Sequence, residues 1–389
     1  GPHAVELRLP EHDTYPTLVV IESGSTQAVQ GTLVHHQGKL FLSGNPAGLA
    51  VLVRLEGTEG APIRLSPPVE GFPLETGRYD VRATLPDHLD RCCTIDVRRD
   101  ERLRINLSLA PRVLWTYETG GVVNSSPALG DLDGDGVLDA VVGSYDGSVY
   151  ALSGADGAVL WSAATGGEVH SSPALGDLDL DGVLDCVVGS RDQSVYAFSG
   201  RDGRRLWRFE TEGQVQSSPA LAEFKGGTVV VVGSNDKSVY ALAGRDGTVL
   251  WKHSTGDAVP SSPALGDLDG DGVFDCVVGS YDGCVHALSG EDGTPLWTWR
   301  TGGAVISSPA LGDLDGDGRL DCAVGSEDHK LYALSGRDGT VLWTFETQAE
   351  VFSSPAIGDL DRDGRLDVVV GSMDRCVYAL SGREGGLLW

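Results

Sequence analysis

Five stretches of the 389-residue chain carry four aspartates at one fixed spacing, D-x-D-x-D-G-x-x-D. They are Asp131, Asp133, Asp135 and Asp139; Asp177, Asp179, Asp181 and Asp185; Asp267, Asp269, Asp271 and Asp275; Asp313, Asp315, Asp317 and Asp321; and Asp359, Asp361, Asp363 and Asp367. Alternate residues at positions 1, 3 and 5 of a tight loop converge on one centre, and the glycine after position 5 permits the sharp turn. Position 7 can offer its backbone carbonyl (Val137, Val183, Val273, Arg319 and Arg365), and the ninth residue closes the shell. Hard oxygen donors in that number suit Ca²⁺, which takes roughly six to eight oxygens at about 2.3–2.6 Å. An EF-hand needs Glu at position 12 and flanking helices. Position 12 of the first loop is Val142, inside a β-rich run, so that reading is rejected. A metal-free Asp-rich turn is the alternative, because Asp and Gly form turns readily. Four acids within nine residues repel one another strongly unless a cation joins them. One structural Ca²⁺ per loop is therefore expected. A catalytic role is not, because five equivalent turns make a poor single reaction centre.

The charge balance agrees. The chain has 29 Lys plus Arg against 56 Asp plus Glu, for a net charge of −27. Residues 112–389 alone hold 42 acids and 18 bases. Such an acidic surface argues against nucleic acid or an anionic membrane as the main partner. Hydrophobic residues make up 41%, enough for a sizeable core, and 54 glycines favour tight turns over long helices. No apolar run is long enough to span a bilayer.

The elements that must position these loops follow from a repeat. Trp115, Trp161, Trp207, Trp251, Trp297, Trp343 and Trp389 are spaced 46, 46, 44, 46, 46 and 46 residues apart. Between them runs one text, for example SSPALGDLDGDGVLDAVVGSYDGSVYALSGADGAVLW from Ser125 to Trp161. Each copy contains four short β-rich runs bounded by Gly, Asp or Ser, here called A, B, C and D. Four strands per repeat of this length match one propeller blade. The expected fold is all-β: a propeller of six four-stranded blades over residues 112–389, with seven as the alternative. Residues 112–118 (RVLWTYE) read as a D strand able to complete the last blade and close the ring, although the C-terminal GLLW has the same pattern. In the third copy the loop reads ALAEFKGGTVVVVGS, two residues shorter and without the four ligands. That blade must turn without metal.

Two families meet in this repeat. YALSG followed by DGAVLW, Asp156 to Trp161, resembles the tryptophan-docking motif of PQQ-like quinoprotein propellers. ALGDLDGDGVLDAVVGS, Ala128 to Ser144, resembles the FG-GAP repeats of integrin α-subunit propellers, without the phenylalanine that names them. The first resemblance implies a PQQ-dependent dehydrogenase as one alternative function. Such an enzyme needs an asymmetric cluster at the ring centre, which near-equal repeats do not provide.

Near-identical copies show where the chain varies. The residue before SSPA is Asn124, His170, Gln216, Pro260, Ile306 and Phe352 in turn. The B–C turns begin with Tyr145, Arg191, Asn235, Tyr281, Glu327 and Met373, and their third residues include Gln193, Lys237, His329 and Arg375. In a meander, D–A and B–C connections emerge on one side, and A–B loops and C–D turns on the other. The varied side is thus expected to be a recognition face for a protein, peptide or glycan, rich in the aromatic and Arg side chains that interfaces favour. Drift at unconstrained positions is the plainer alternative. The aspartate in the middle of each B–C turn is expected to fix the turn. The repeated tryptophans read as inter-blade packing anchors.

Residues 33–111 hold the alternating runs KLFLS, LAVLVRL, RYDVRATL, CTIDVRR and LRINLSL, read as a small β-sandwich domain. NPAGLAVLV followed by ETGRYDVRATLPDHL resembles the PEGA domain of bacterial surface and signalling proteins, with Ala47 where that family has Glu. The resemblance implies a spacer or attachment module. Residues 1–32 are unassigned and could add one or two strands. Met373 is the only methionine, and Gly1-Pro2 reads as the remnant of a cleaved tag, so the chain is expected to be part of a longer protein with an upstream domain. Seven cysteines form no disulfide framework, and Cys186, Cys276 and Cys322 read as small core residues. Cys92-Cys93 lies outside the repeats, away from any ring-centre cofactor. No nucleophile–base set is apparent, and His170, His286 and His329 come from different blades. The expectation is a non-catalytic, Ca²⁺-stabilised binding or sensor module of a bacterial receptor or regulated effector. A structural spacer is the third reading. Ca²⁺ loops favour an extracytoplasmic setting, while unpaired thiols lean towards the cytosol.

Overall fold

The computed structural model describes residues 2–7, 15–20, 37–43, 50–56, 62–65, 69–75, 77–84, 91–98, 102–106 and 113–389, except 225 and 226. The chain divides into two compact units, Gly1–Thr116 and Tyr117–Trp389. Every described element is a strand.

The first unit contains an antiparallel sheet of Ile63–Leu65, Ala50–Leu55, Gly77–Thr84 and Arg91–Val97, in that order. Val53, Leu65, Tyr79 and Val81 are buried within it. A second sheet sets Gln37–Ser43 antiparallel to Val69–Glu75 and parallel to Arg102–Asn106. Pro2–Leu7 and Tyr15–Val20 pair as a hairpin in the segment left unassigned from sequence. Cys92 and Cys93 lie on strand Arg91–Val97.

In the second unit each 46-residue text becomes one antiparallel sheet in the order A-B-C-D. In the first copy these strands are Ala128–Gly130, Asp139–Gly143, Ser148–Leu152 and Val159–Ala164. Five sheets have four strands and the sixth has three. Neighbouring A strands lie side by side from one blade to the next. The repeated SSPA explains this packing. The first serine caps the B strand: Ser125 Oγ donates to the Gly143 carbonyl (3.0 Å) and accepts from its N–H (2.9 Å). The second serine links blades, since Ser126 N–H donates to Ser172 Oγ (2.9 Å), Ser172 N–H to Ser218 Oγ, and so on to Ser354.

The tryptophan anchors the outer edge. Trp161 Nε1 donates to the Gly200 carbonyl of the next blade (2.6 Å), and Trp207, Trp251, Trp297 and Trp343 repeat the bond to Gly244, Gly290, Gly336 and Gly382. The indole lies over Gly203, whose φ is +69° and where a Cβ would stand 2.8 Å from the Trp161 ring. The glycine of the C–D turn is therefore needed twice in the second to sixth blades, for its left-handed backbone and for the space the indole takes. Clusters of buried Val, Leu, Ala, Tyr and Trp join each blade to the next, with Cys186, Cys276 and Cys322 among them.

Two expectations about closure change. Residues 113–119 carry no strand, so they do not supply the fourth strand of the last blade. Instead the C-terminal residues pair with the sixth C strand: Leu387 bridges Leu380, Leu388 N–H donates to the Ala379 carbonyl (2.8 Å), and Ala379 N–H donates to Trp389 O (3.0 Å). A local hairpin closes a far shorter loop than recruitment from the other end of the repeats. The two outermost blade faces are also open. Val123 is 45% exposed where Val169, Val215, Val259, Val305 and Val351 are at 0%, and Trp389 is 63% exposed where the five preceding tryptophans lie at 5–7%. Six blades thus form five blade-to-blade interfaces among the described residues.

Candidate functional site

The two sides of the blades are built by different residues. On the varied side, the first residue of each B–C turn donates its N–H to the preceding D–A connection: Tyr145 to Val122, Arg191 to Glu168, Asn235 to Gln214, Tyr281 to Ala258, Glu327 to Ala304 and Met373 to Glu350. This brings the two variable sets together, as the strand meander requires. The aspartate in the turn holds it. Asp146 accepts from the N–H groups of Gly120 (2.8 Å) and Ser148 (2.9 Å) and from the Tyr150 hydroxyl (2.9 Å). Asp328 and Asp374 bind the same three kinds of partner, through Gly302, Lys330 and Tyr332, and through Gln348, Cys376 and Tyr378. Burial works against ionisation of Asp146, but its hydrogen bonds prevail and hold the carboxyl below the usual range. For Asp374 the Gln348 N–H leads the contributions that lower it to about 2. Sequence reasoning found the aspartate and missed its tyrosine; the signal was the fixed four-residue spacing from Asp to Tyr in YDGSVY.

Across the first three blades the varied side chains form one chain of contacts. Tyr145 stacks on His170, with ring centres 4.0 Å apart and its hydroxyl 3.0 Å from Nδ1. His170 Nε2 meets Glu168 at 3.1 Å, Arg191 binds the same Glu168 carboxylate, and Arg191 Nε also donates to Gln214 (3.3 Å). Gln216 donates to Gln214 as well (3.1 Å). Glu168 is held below its usual range, first by Arg191 and then by His170. Glu168 and Gln214 did not figure among the sequence candidates, because they stand two residues before the varied position. Asn124, Gln193, Lys237, Tyr281, His329, Phe352, Met373 and Arg375 are exposed; Asn235, Pro260, Ile306 and Glu327 are half-buried. Lys237 pairs with Asp257 (3.4 Å).

On the opposite side lie the aspartate loops. Asp131 accepts from the N–H groups of Gly134 (2.8 Å) and Gly136 (3.1 Å), Asp133 from Asp135, and Asp135 from Val137 (2.7 Å). These bonds curl the loop and leave carboxylate lone pairs on its exposed side. Donor atoms of Asp131, Asp133 and Asp139 lie within 4.8 Å of one another, as do those of Asp177, Asp179 and Asp185, of Asp267, Asp269 and Asp271, and of Asp313, Asp315 and Asp321. The ninth aspartate does more than close a shell. Asp139, fully buried, accepts from Leu132 N–H (2.8 Å) and Gly154 N–H (3.0 Å), tying the A–B loop to the C–D turn. Asp185, Asp275 and Asp321 do the same in their blades. Burial, with the other loop aspartates adding to it, pushes these three carboxyls up, Asp321 to about 6. A nearby cation would favour their charged forms, so the donor set suits a hard divalent ion.

The third blade takes another route. Ala220–Phe224 and Gly227–Ser234 pair directly, and the Thr228 carbonyl accepts from Gly244 N–H (2.7 Å), the bond an aspartate makes elsewhere. The shorter loop leaves a depression of about 390 Å³ lined in part by Leu178, Leu180, Thr228, Val229 and Arg245.

Successive four-stranded meanders, joined by serines inside and tryptophans outside, define a β-propeller of PQQ-like repeats. The chain belongs to the family described as outer membrane protein assembly factor BamB, whose model matches residues 111–281 and 235–389. Among solved structures, BamB from Moraxella catarrhalis is similar at 19% identity, with a TM-score of 0.52 over 68% of this chain and 74% of that one. The computationally designed Ika8 protein is similar at 18% identity, with a TM-score of 0.53 over 88% of this chain and 99% of that one. No curated protein matches the chain. No helix among the described residues is long and apolar enough to cross a membrane.

Proposed function

We propose that the propeller is a non-catalytic scaffold that binds a protein or peptide on its D–A/B–C side, while Ca²⁺ ions stiffen the loops on the other. One observation carries this reading. The side where the repeats differ presents a connected polar and aromatic surface, Tyr145–His170–Glu168–Arg191–Gln214, across three blades. The opposite side repeats one text. A propeller that keeps one face uniform and diversifies the other separates stability from recognition. Membership of a family described as an assembly factor supports a protein as the partner. In the same reading, residues 33–111 act as a PEGA-like attachment module, the aspartate loops work as FG-GAP-like Ca²⁺ sites, and the whole serves as the sensor end of a larger extracytoplasmic protein.

The test uses photo-crosslinking side chains placed at Tyr145, Arg191 and Phe352, and at Asp202 and Asp338 in C–D turns on the other side. Cross-links to one polypeptide are expected from the first set. Direct binding of that polypeptide should then fall at least tenfold in a Tyr145→Ala/Arg191→Ala/Phe352→Ala variant with unchanged melting. Cross-links confined to the C–D turns, or undiminished binding by the triple variant, would rule the reading out.

A further inference from the structure

One blade departs from the repeat at several facing positions together. In five blades the C strand carries a tyrosine, Tyr150, Tyr196, Tyr240, Tyr332 or Tyr378, whose hydroxyl binds the turn aspartate. The fourth blade carries His286 instead, with Nε2 3.1 Å from Asp282 Oδ2. The ring that meets this position is Phe209 or Phe345 of the preceding D strand against Tyr240 and Tyr378, and Tyr117, which precedes the first blade and lies in no strand, against Tyr150. Against His286 it is His253, with ring centres 5.8 Å apart. Two residues before His286, on the same strand face, stands Cys284, where the first three blades have Ser148, Ser194 and Ser238. An aromatic pair and a serine have become a histidine pair and a thiol, all beside one carboxylate.

Donor atoms of Asp282, Cys284 and His286 already lie within 4.8 Å of one another. His286 is buried, and Cys284, Asp282 and His253 are half-buried. The carboxylate is oriented from behind by the N–H groups of Gly256 (2.7 Å) and Cys284 (2.8 Å), the kind of outer-shell support that fixes metal ligands. We propose that the interface between the third and fourth blades binds one Zn²⁺-class ion through Cys284 Sγ, His286 Nε2 and an Asp282 oxygen, with His253 as fourth ligand. Imidazole and thiolate select zinc or a similar borderline metal over Ca²⁺. Two imidazoles on one tetrahedral ion, with Zn–N of about 2.0 Å, place their ring centres roughly 5 Å apart. The 5.8 Å seen here is within about 1 Å of that separation. The site is distinct in chemistry from the aspartate loops and sits at the other end of the blades.

The sixth blade is a control within the molecule. It has Asp374 and Cys376 in the same places, but Tyr378 and Phe345 in place of the histidines. The plainer role for His286 is to stand in for the tyrosine hydroxyl on the turn aspartate.

The experiment titrates the metal-stripped full chain with Co²⁺ in excess Ca²⁺ and reads absorbance. The expected result is one equivalent bound, with a thiolate-to-metal charge-transfer band and the intense visible bands of a tetrahedral ion, all displaced by Zn²⁺. Cys284→Ser should abolish the charge-transfer band. The double variant His253→Phe/His286→Tyr, which restores the pair used in other blades and so keeps the fold, should lose at least tenfold in Co²⁺ affinity. Cys376→Ser should change neither. Absence of the bands, or bands of equal affinity in Cys284→Ser or the double variant, overturns the proposal.

Discussion

Asp374 accepts three hydrogen bonds in its turn, and so does Asp146 five blades earlier. Both carboxyls are held below the ordinary aspartate value of 3.8, Asp374 at about 2. A depressed folded-state pKa means that the ionised group stabilises the fold. That contribution is complete above the unfolded value near 3.8 and is lost as pH falls through about 2. Acid unfolding is therefore expected to begin in this window. Asp374→Asn should lower stability at neutral pH and flatten the loss between pH 4 and 2, as read by urea melts at a series of pH values. A variant whose pH dependence matches the parent's would contradict this role. The turn function of the aspartate was legible in sequence, because it depends on residues two positions away. Its bond to a backbone N–H of the neighbouring connection was not, because Gly120 lies 26 residues from Asp146.

At the scale of the element, each A–B loop balances turn geometry against charge. Position 4 of the loop is left-handed in all five, at Gly134, Leu180, Gly270, Gly316 and Arg362. Leu180 has φ +64° and is 72% exposed, so its side chain gains little by packing there. A non-glycine residue in this region costs about 1–2 kcal/mol, offset in part by the greater unfolded-state freedom of glycine. Leu180→Gly is expected to stabilise the chain by roughly 0.5–1 kcal/mol, measured by chemical denaturation; a loss of stability would contradict the strain argument. Ca²⁺ acts on the same elements. Excess EGTA should lower the melting temperature and added Ca²⁺ should restore it, because carboxylates such as Asp185, Asp275 and Asp321 are buried close to other acids. An unchanged melting curve in EGTA would count against the sites. The third blade, whose hairpin uses the Thr228 carbonyl in place of an aspartate, is the element expected to be indifferent.

At the scale of the whole molecule, stability comes from one interface made five times. Each interface combines a serine bond near the A strands, a tryptophan on the next C–D turn, and a cluster of buried aliphatics. The outermost faces present the same residues with nothing over them among the described residues, including Val123, Leu129, Val377 and Trp389. In repeat architectures, stability approximates a sum of repeat and nearest-neighbour terms. Appending one further copy of the repeat in frame after Trp389 should therefore bury that indole on a new C–D glycine. The expected readout is a blue shift of tryptophan emission and a higher melting temperature. Unchanged emission would mean that the terminal face cannot take a blade.

The sequence by itself determined the blade: its strands, its turns and the uniform aspartate loops. All of these depend on periodicity and on contacts within a few residues, which the chain writes out in near-identical copies. Only the tertiary structure decided what happens between copies. The serine link joins residues 46 apart, the Glu168–Arg191 pair joins residues 23 apart, and the facing histidines of the third and fourth blades stand 33 positions apart in the chain. Alignment of one repeat on another superposes equivalent positions. It does not reveal which position of one blade faces which position of the next, because that is fixed by packing.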